Sequence, residues 1–191
     1  MNILVVIGHQ RSGSFCHAIA ATAIDELQSL GHQVVYHDLY EEGFDPILPH
    51  QEIPRDAPLD ETISRHVAEL KAADGYIVVH PNWWAMPPAA LKGWVDRVFR
   101  QGQAYTFGPQ GVVGLLKGKR AVVFTTSNTP RDVELSVFGD PLENLWRTCI
   151  FGFCGVEDFA RRNFEPMVLS TPEQRAEWLD EVRKLVRARF A

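Results

Sequence analysis

Apolar and polar positions alternate along the chain in two periods, and the switch between them divides it into elements. Residues 3–7 (Ile-Leu-Val-Val-Ile) are continuously apolar, which fits a strand buried on both faces. Residues 14–30 then follow a helical period, with Ala20, Ala23, Ile24 and Leu27 on one face and Gly31 as a stop. Residues 34–37 read as a second strand, residues 59–72 as a helix and residues 75–80 as a third strand. Pro87-Pro88 opens a helix on which Leu91, Trp94, Val95, Val98 and Phe99 form an i, i+3, i+4, i+7, i+8 stripe. Residues 119–126 give a fourth strand, 142–153 a helix, and 156–164 contain a fifth strand. A capping box at Thr171-Pro172-Glu173-Gln174 starts the last helix, whose stripe is Trp178, Leu179, Val182, Leu185 and Val186. Residues 40–58 carry four prolines and read as a polar surface excursion.

Five strands alternating with five helices predict an α/β fold, a doubly wound parallel sheet covered on both faces. Order 2-1-3-4-5 is the commonest five-stranded solution, with its ligand crevice beyond the carboxyl ends of the strands. The loops after Ile7, Val79 and Thr126 are therefore the ones that matter. With 191 residues the whole chain, 1–191, reads as one domain.

Composition narrows the function classes. Hydrophobic residues make up 46% and charged residues 23%, enough for a core without disulfides or metal. Net charge is −5 and no Lys/Arg run marks a phosphate-backbone stripe, which argues against nucleic acid. Cys16, Cys149 and Cys154 form no CxxC pair, and no His/Cys set has metal spacing. The opening residues lack the basic start of a signal peptide and no apolar run nears the ~20 residues of a membrane span, so the cytoplasm is the expected location.

The first loop, Gly8 to Cys16, offers hydroxyls, glycine and Arg11 at a helix N-terminus, which suits a phosphate. An ordinary N-cap at Ser14 or Ser12 explains the same residues. GxGxxG and P-loop patterns are absent. The second loop places Trp83 and Trp84 after a buried strand, as aromatic walls for a flat ring or, for one of the two, as cover for the core. The third loop, starting Thr125-Thr126-Ser127, is small and polar enough for a ligand edge to approach the backbone. His9 and His80 read first as hydrogen-bonded structural residues. Cys16 reads first as core packing, against a lowered thiol pKa at a helix N-terminus.

The stretch from His80 to Phe99, with Gln101-Gly102-Gln103-Ala104-Tyr105 after it, resembles the NAD(P)H quinone oxidoreductase family of flavodoxin-like proteins. That family includes quinone reductases, the modulator of drug activity B and ancillary subunits of potassium-efflux systems. It reads much like P-x-x-W-x-x-x-P-x-x-L-K-x-W-x-D-x-V-F followed by G-x-A-Y, and the first and third loops match in place.

The resemblance implies the flavodoxin-like form of the fold and a homodimer holding flavin, FMN favoured over FAD, with NAD(P)H as hydride donor and a quinone or similar small molecule as acceptor. It assigns the phosphate to His9, Arg11, Ser14, Phe15 and Cys16. It assigns the ring to Pro81, Asn82, Trp83 and Trp84, with Thr125, Thr126 and Ser127 along the pyrimidine edge, and sets Tyr105 and Phe107 near the neighbouring subunit's pocket. Tyr105, Phe107 and the stretch 112–116 have no evident place in one subunit's core, which fits an interface.

The chain departs from the pattern at Gln10, Cys16 and Ser127. It also lacks the Tyr and His that assist flavin reduction in quinone reductases, with Phe138 standing where the His would be. Arg131 is the cation expected to compensate. Two other roles stay open, a regulatory flavoprotein subunit on a membrane transporter and a one-electron carrier.

Overall fold

In the computed structural model, which describes residues 1–191, the continuous apolar runs form the centre of the sheet. Strand β1 (Asn2–Ile7) pairs in parallel with β2 (Gln33–Asp38) on one side and β3 (Gly75–Pro81) on the other. Helix α1 (Phe15–Ser29) makes the first crossover, and α2 (Glu61–Ala72) covers the second. Every residue of β3 is buried, as expected of a strand flanked by neighbours and covered above and below. Helix α3 (Ala89–Val98) leads to a hairpin of β4 (Tyr105–Gly108) and β5 (Gly111–Gly114). Strand β6 (Arg120–Thr126) then returns to the sheet beside β3. Short helices α4 (Arg131–Ser136) and α5 (Pro141–Asn144) follow, then β7 (Asp158–Phe164) at the sheet edge and α6 (Pro172–Phe190).

The sheet order is β2-β1-β3-β6-β7, which is 2-1-3-4-5 once the separate hairpin is set aside. One core lies between the sheet and α2, α3 and the segment after α5. The other lies between the sheet and α1 and α6.

The structure differs from the sequence expectation in four places. Residues 105–114 form a hairpin, and of the residues expected to lie outside the core Leu116 is buried in it and Tyr105 packs half-buried against it, while Phe107, Val112, Val113 and Leu115 stay exposed. The predicted helix 142–153 is α-helical only through α5 and widens into a π-helix over Leu145–Gly152. Its wider turn brings Trp146 and Phe151, five residues apart, to the same core with ring centroids 5.7 Å apart. An additional helix, α4, sits directly after the third loop. The excursion 40–58 is also anchored: Phe44 and Glu52 are buried, and the Arg97 guanidinium donates to both carboxylate oxygens of Glu52. Pro46 lies so close to Gly93 that a Cβ there would stand 2.2 Å from the Pro46 carbonyl oxygen.

Candidate active site

The loops after β1, β3 and β6 meet at the carboxyl end of the sheet and enclose two joined chambers. One, of about 580 Å³, is walled by Pro81, Asn82, Trp83, Trp84, Ser127, Glu134 and Phe138, among others. The second, of about 420 Å³, is lined by Arg11, Ser14, Phe15, Cys16 and Arg175. His9, Thr126, Asn128 and Met167 border both, so the two form one groove.

The second chamber surrounds the first turn of α1. The early amides of any helix lack intrahelical acceptors, and here they face a chamber with two arginines. Ser14 occupies the N-cap position but its side chain does not cap. Its hydroxyl lies 2.7 Å from His17 Nδ1, and His17 Nε2 lies 2.8 Å from a carboxylate oxygen of Asp38. The Arg11 amide donates to His9 Nδ1, which leaves His9 Nε2 as the protonated nitrogen of the neutral ring. Burial, then His17 and Arg11, push the His9 pKa down, so the ring is neutral near neutral pH. Burial raises the Cys16 thiol to about 12. Cys16 is thus packing, not a thiolate activated by the helix N-terminus, although it lines the chamber.

The first chamber takes its shape from a tight turn. Trp83 and Met86 exchange both backbone hydrogen bonds, at 3.0 Å each, across Trp84 and Ala85. Both central residues have positive φ, 54° and 58°, the type I′ geometry that normally calls for Asn-Gly. Holding two non-glycine residues there costs on the order of 1–2 kcal/mol each, and such strain concentrates at functional sites. Trp84 at the tip is 99% exposed and Trp83 42% exposed. Neither covers the core, so the alternative of a core-covering tryptophan fails. The turn is anchored by the Asn82 amide, which donates to the Thr126 carbonyl at 2.7 Å, and by His80 beneath it.

His80 is fully buried. Its Nδ1–H donates to the Pro81 carbonyl at 2.8 Å and its Nε2 accepts from Trp146 Nε1–H at 2.9 Å. Both contacts require the neutral Nδ1–H tautomer, so His80 is structural.

Several expected residues lie elsewhere. Thr125 is buried under the floor, donating to Asn163 at 2.7 Å, while Thr126 and Ser127 do reach the groove. Phe138 lines the cleft and is about half exposed. Arg131 does not line it: its guanidinium faces a separate pocket and approaches Glu165 at 3.6 Å. Tyr105 and Phe107 sit on the hairpin, outside their own chain's cleft, in an edge-to-face pair.

Two pieces were missing from the sequence reading. One is the Ser14–His17–Asp38 chain, whose members are brought together by the α1–β2 crossover. The other is Glu134, 2% exposed, at the cleft wall, receiving the Asn82 side-chain amide at 3.3 and 3.4 Å. Burial first and Asp140 second raise its pKa from the ordinary carboxylate value, against Arg161, Asn82 and Arg131.

His37, Glu42 and His66 also converge. Trp94 Nε1–H donates to His66 Nδ1, so neutral His66 carries its proton on Nε2 and has no lone pair there for a metal.

The profile of the family described as Flavodoxin-like fold matches residues 1–189. An uncharacterized NAD(P)H oxidoreductase of Haemophilus influenzae is 36% identical over 163 residues, covering 83% of this chain and 80% of that protein. An FMN-dependent NADH:quinone oxidoreductase of Cereibacter sphaeroides is 33% identical over 129 residues, 67% of this chain and 63% of its own length. Among solved structures, the NAD(P)H:quinone oxidoreductase of Methanothermobacter marburgensis superposes with a TM-score of 0.85 at 25% identity, covering 98% of this chain and 96% of that one.

Proposed function

The chain belongs to the NAD(P)H quinone oxidoreductases of the flavodoxin-like fold, and from that premise we propose that it uses flavin and NAD(P)H to deliver two electrons to a quinone or similar acceptor. The observation that carries this reading is the joined pair of chambers. One is built for a phosphate and the other for a flat ring, which is the division of chemistry within FMN. The residues fit the group: the start of α1 with Ser14, Arg11 and Arg175 at one end, and an aromatic, strained turn at the other.

Ser14, Arg11 and the amides of Phe15 and Cys16 would hold the phosphate, with His17 and Asp38 fixing the Ser14 hydroxyl. Pro81, Asn82, Trp83 and Trp84 would hold the ring, with Thr126 and Ser127 at its other edge. A flavin bound there supplies the hydride-accepting and electron-passing chemistry that no side chain has. The protein contributes orientation, exclusion of water by Trp83 and Phe138, and a neutral His9 that adds no charge beside the ring.

The active form is a homodimer. The hairpin exposes Phe107, Val112, Val113 and Leu115, and Phe153 adjoins it by packing on Tyr105, making an apolar face unusual for a monomer. A twofold arrangement would bring Tyr105 and Phe107 to the partner's cleft. Three free cysteines support a reducing, cytoplasmic setting, and no helix is long and apolar enough to cross a membrane.

Chromatography of the extracted cofactor against FMN and FAD, with steady-state quinone reduction by NADH and by NADPH, tests the reading. Bound FMN and turnover are expected. Protein that takes up neither flavin, or that binds flavin without oxidising either dinucleotide, would overturn it.

A further inference from the structure

Reducing a quinone to its hydroquinone takes two electrons and two protons. The dinucleotide provides a hydride, which carries both electrons and one of the protons, and leaves as NAD(P)⁺. The balanced reaction is quinone + NAD(P)H + H⁺ → hydroquinone + NAD(P)⁺, so the remaining proton comes from an acid beside the acceptor or from solvent. The Tyr and His that assist flavin reduction in quinone reductases are absent here, and Phe138 has no proton to give.

The cleft wall contains two titratable side chains, His9 and Glu134. His9 borders the phosphate chamber, and its one ring proton sits on the nitrogen opposite the Arg11 contact. Glu134 is the other. It projects from α4, whose N-terminus follows Pro130 directly, and its residue is 2% exposed although it lines the cavity. Asn82, from the loop after β3, holds both carboxyl oxygens through one amide group at 3.3 and 3.4 Å. Behind it, the Asp140 amide donates to the Glu134 carbonyl at 3.0 Å. The Asp140 carboxylate is itself neutralised by the buried Arg161 at 2.7 Å. Arg131, on the same helix, is turned to Glu165.

We propose that the Glu134 carboxyl is the acid of this cleft, giving the acceptor the second proton of its reduction while Asn82 positions it. This rests on the oxidoreductase reading above. The O–H bond of the carboxylic acid breaks, a new O–H bond forms on the acceptor oxygen, and the Glu134 carboxylate left behind regains a proton from solvent when the product departs. The surroundings support that cycle. Burial and Asp140 favour the neutral acid, whereas Arg161, Asn82 and Arg131 keep the carboxylate accessible as a transient state. Because the acid form is the active one, turnover falls as pH rises through the Glu134 pKa.

The test pairs a spectroscopic titration with kinetics. In flavin-free protein, the Glu134 carboxyl carbon, assigned through its own backbone, is followed by NMR against pH, and it should titrate above the ordinary carboxylate range. In the holoenzyme, Glu134→Gln should lower kcat for quinone reduction by roughly 10²–10⁴-fold, the usual worth of a positioned acid. It should also abolish the alkaline limb of the pH profile while leaving flavin affinity intact. Glu134→Asp should restore part of the rate and the limb with it. A carboxyl that titrates in the ordinary range, or an alkaline limb that survives in Glu134→Gln, overturns the proposal even if the variant binds flavin poorly. A wild type that reduces no quinone defeats the oxidoreductase reading and the donor together. A wild type that reduces quinone with Glu134→Gln unimpaired defeats the donor alone.

Discussion

Mild acid should destabilise this protein through its buried neutral histidines, and His80 can be isolated among them. Burial, with Arg161 as a further contribution, moves the His80 pKa from 6.5 to about 4, opposed only by the Pro81 hydrogen bond. The physical cause is visible in the contacts. Nε2 already accepts from Trp146, so a proton there would set two N–H donors against each other in a space without water. The depressed folded-state value fixes the sign. The unfolded chain takes up the proton near pH 6.5 and the folded chain only near pH 4, so the contribution is complete above 6.5 and lost as pH falls between the two. The full difference corresponds to about 3 kcal/mol, and the loss proceeds at about 1.4 kcal/mol per pH unit. Urea unfolding at fixed ionic strength, from about pH 7 to about pH 5, measures it. His80→Leu removes the titrating group but orphans the Trp146 N–H and the Pro81 carbonyl, which should cost about 1–3 kcal/mol per group at pH 7. The stability curves of wild type and variant should then converge as pH falls, because the variant lacks one proton's worth of slope. His66, pushed to about 3 by burial and then by His37 and Arg65, keeps its own slope in both proteins. Parallel curves would show that His80 is not held neutral and would refute the reasoning.

Three further outcomes follow from the structure. Trp83→Ala/Trp84→Ala should weaken flavin binding by roughly 3–10-fold or more, since one aromatic pairing is worth about 0.5–1.5 kcal/mol beyond the area it buries; quenching of tryptophan fluorescence on flavin titration measures it. Gly93→Ala should destabilise the fold by about 1–3 kcal/mol, because its Cβ would meet the Pro46 backbone at 2.2–2.4 Å and the anchored excursion must move; chemical denaturation reads this directly. Phe107→Lys/Val112→Lys should shift the mass in light scattering from dimer to monomer with little change in thermal stability of the subunit, because both side chains are exposed in one chain.

The sheet was legible because parallel strands buried on both faces leave runs such as Ile3 to Ile7 and Tyr76 to Val79, which no surface element produces. The hairpin was not legible, because Tyr105 to Gly114 packs mainly outward and shows no alternation toward its own core, so its apolar residues give no strand signal. The π-helix was hidden for another reason. Trp146, Ile150 and Phe151 satisfy an α-helical stripe almost as well, and only the core decides between the two registers. At the cleft, topology named the three loops that line the groove, since a crevice at the winding switch depends on strand order alone. Arg131 and Glu134 had to be told apart by the fold. Three residues apart on α4, one turns to Glu165 and the other to Asn82, and nothing local in the sequence distinguishes their directions. His17 and Asp38 are likewise 21 residues apart and meet only because α1 returns the chain to β2.

One buried cation ties the floor of the cleft to its acid. The Arg161 side chain is 2% exposed on β7, pairs with Asp140 at 2.7 Å and lies near Glu143 at 3.7 Å. Its charge opposes protonation of His80 and favours ionisation of Glu134. Protonating His80 loosens the strand end that carries Pro81 and the tryptophan turn, which sets the acid limit. Ionising Glu134 removes the cleft's proton, which sets the alkaline limit. Neutralising Arg161 would therefore make both His80 and Glu134 easier to protonate. Altering Asn82, whose side-chain amide donates to Glu134 and not to His80, would act on the alkaline limit without this effect on His80.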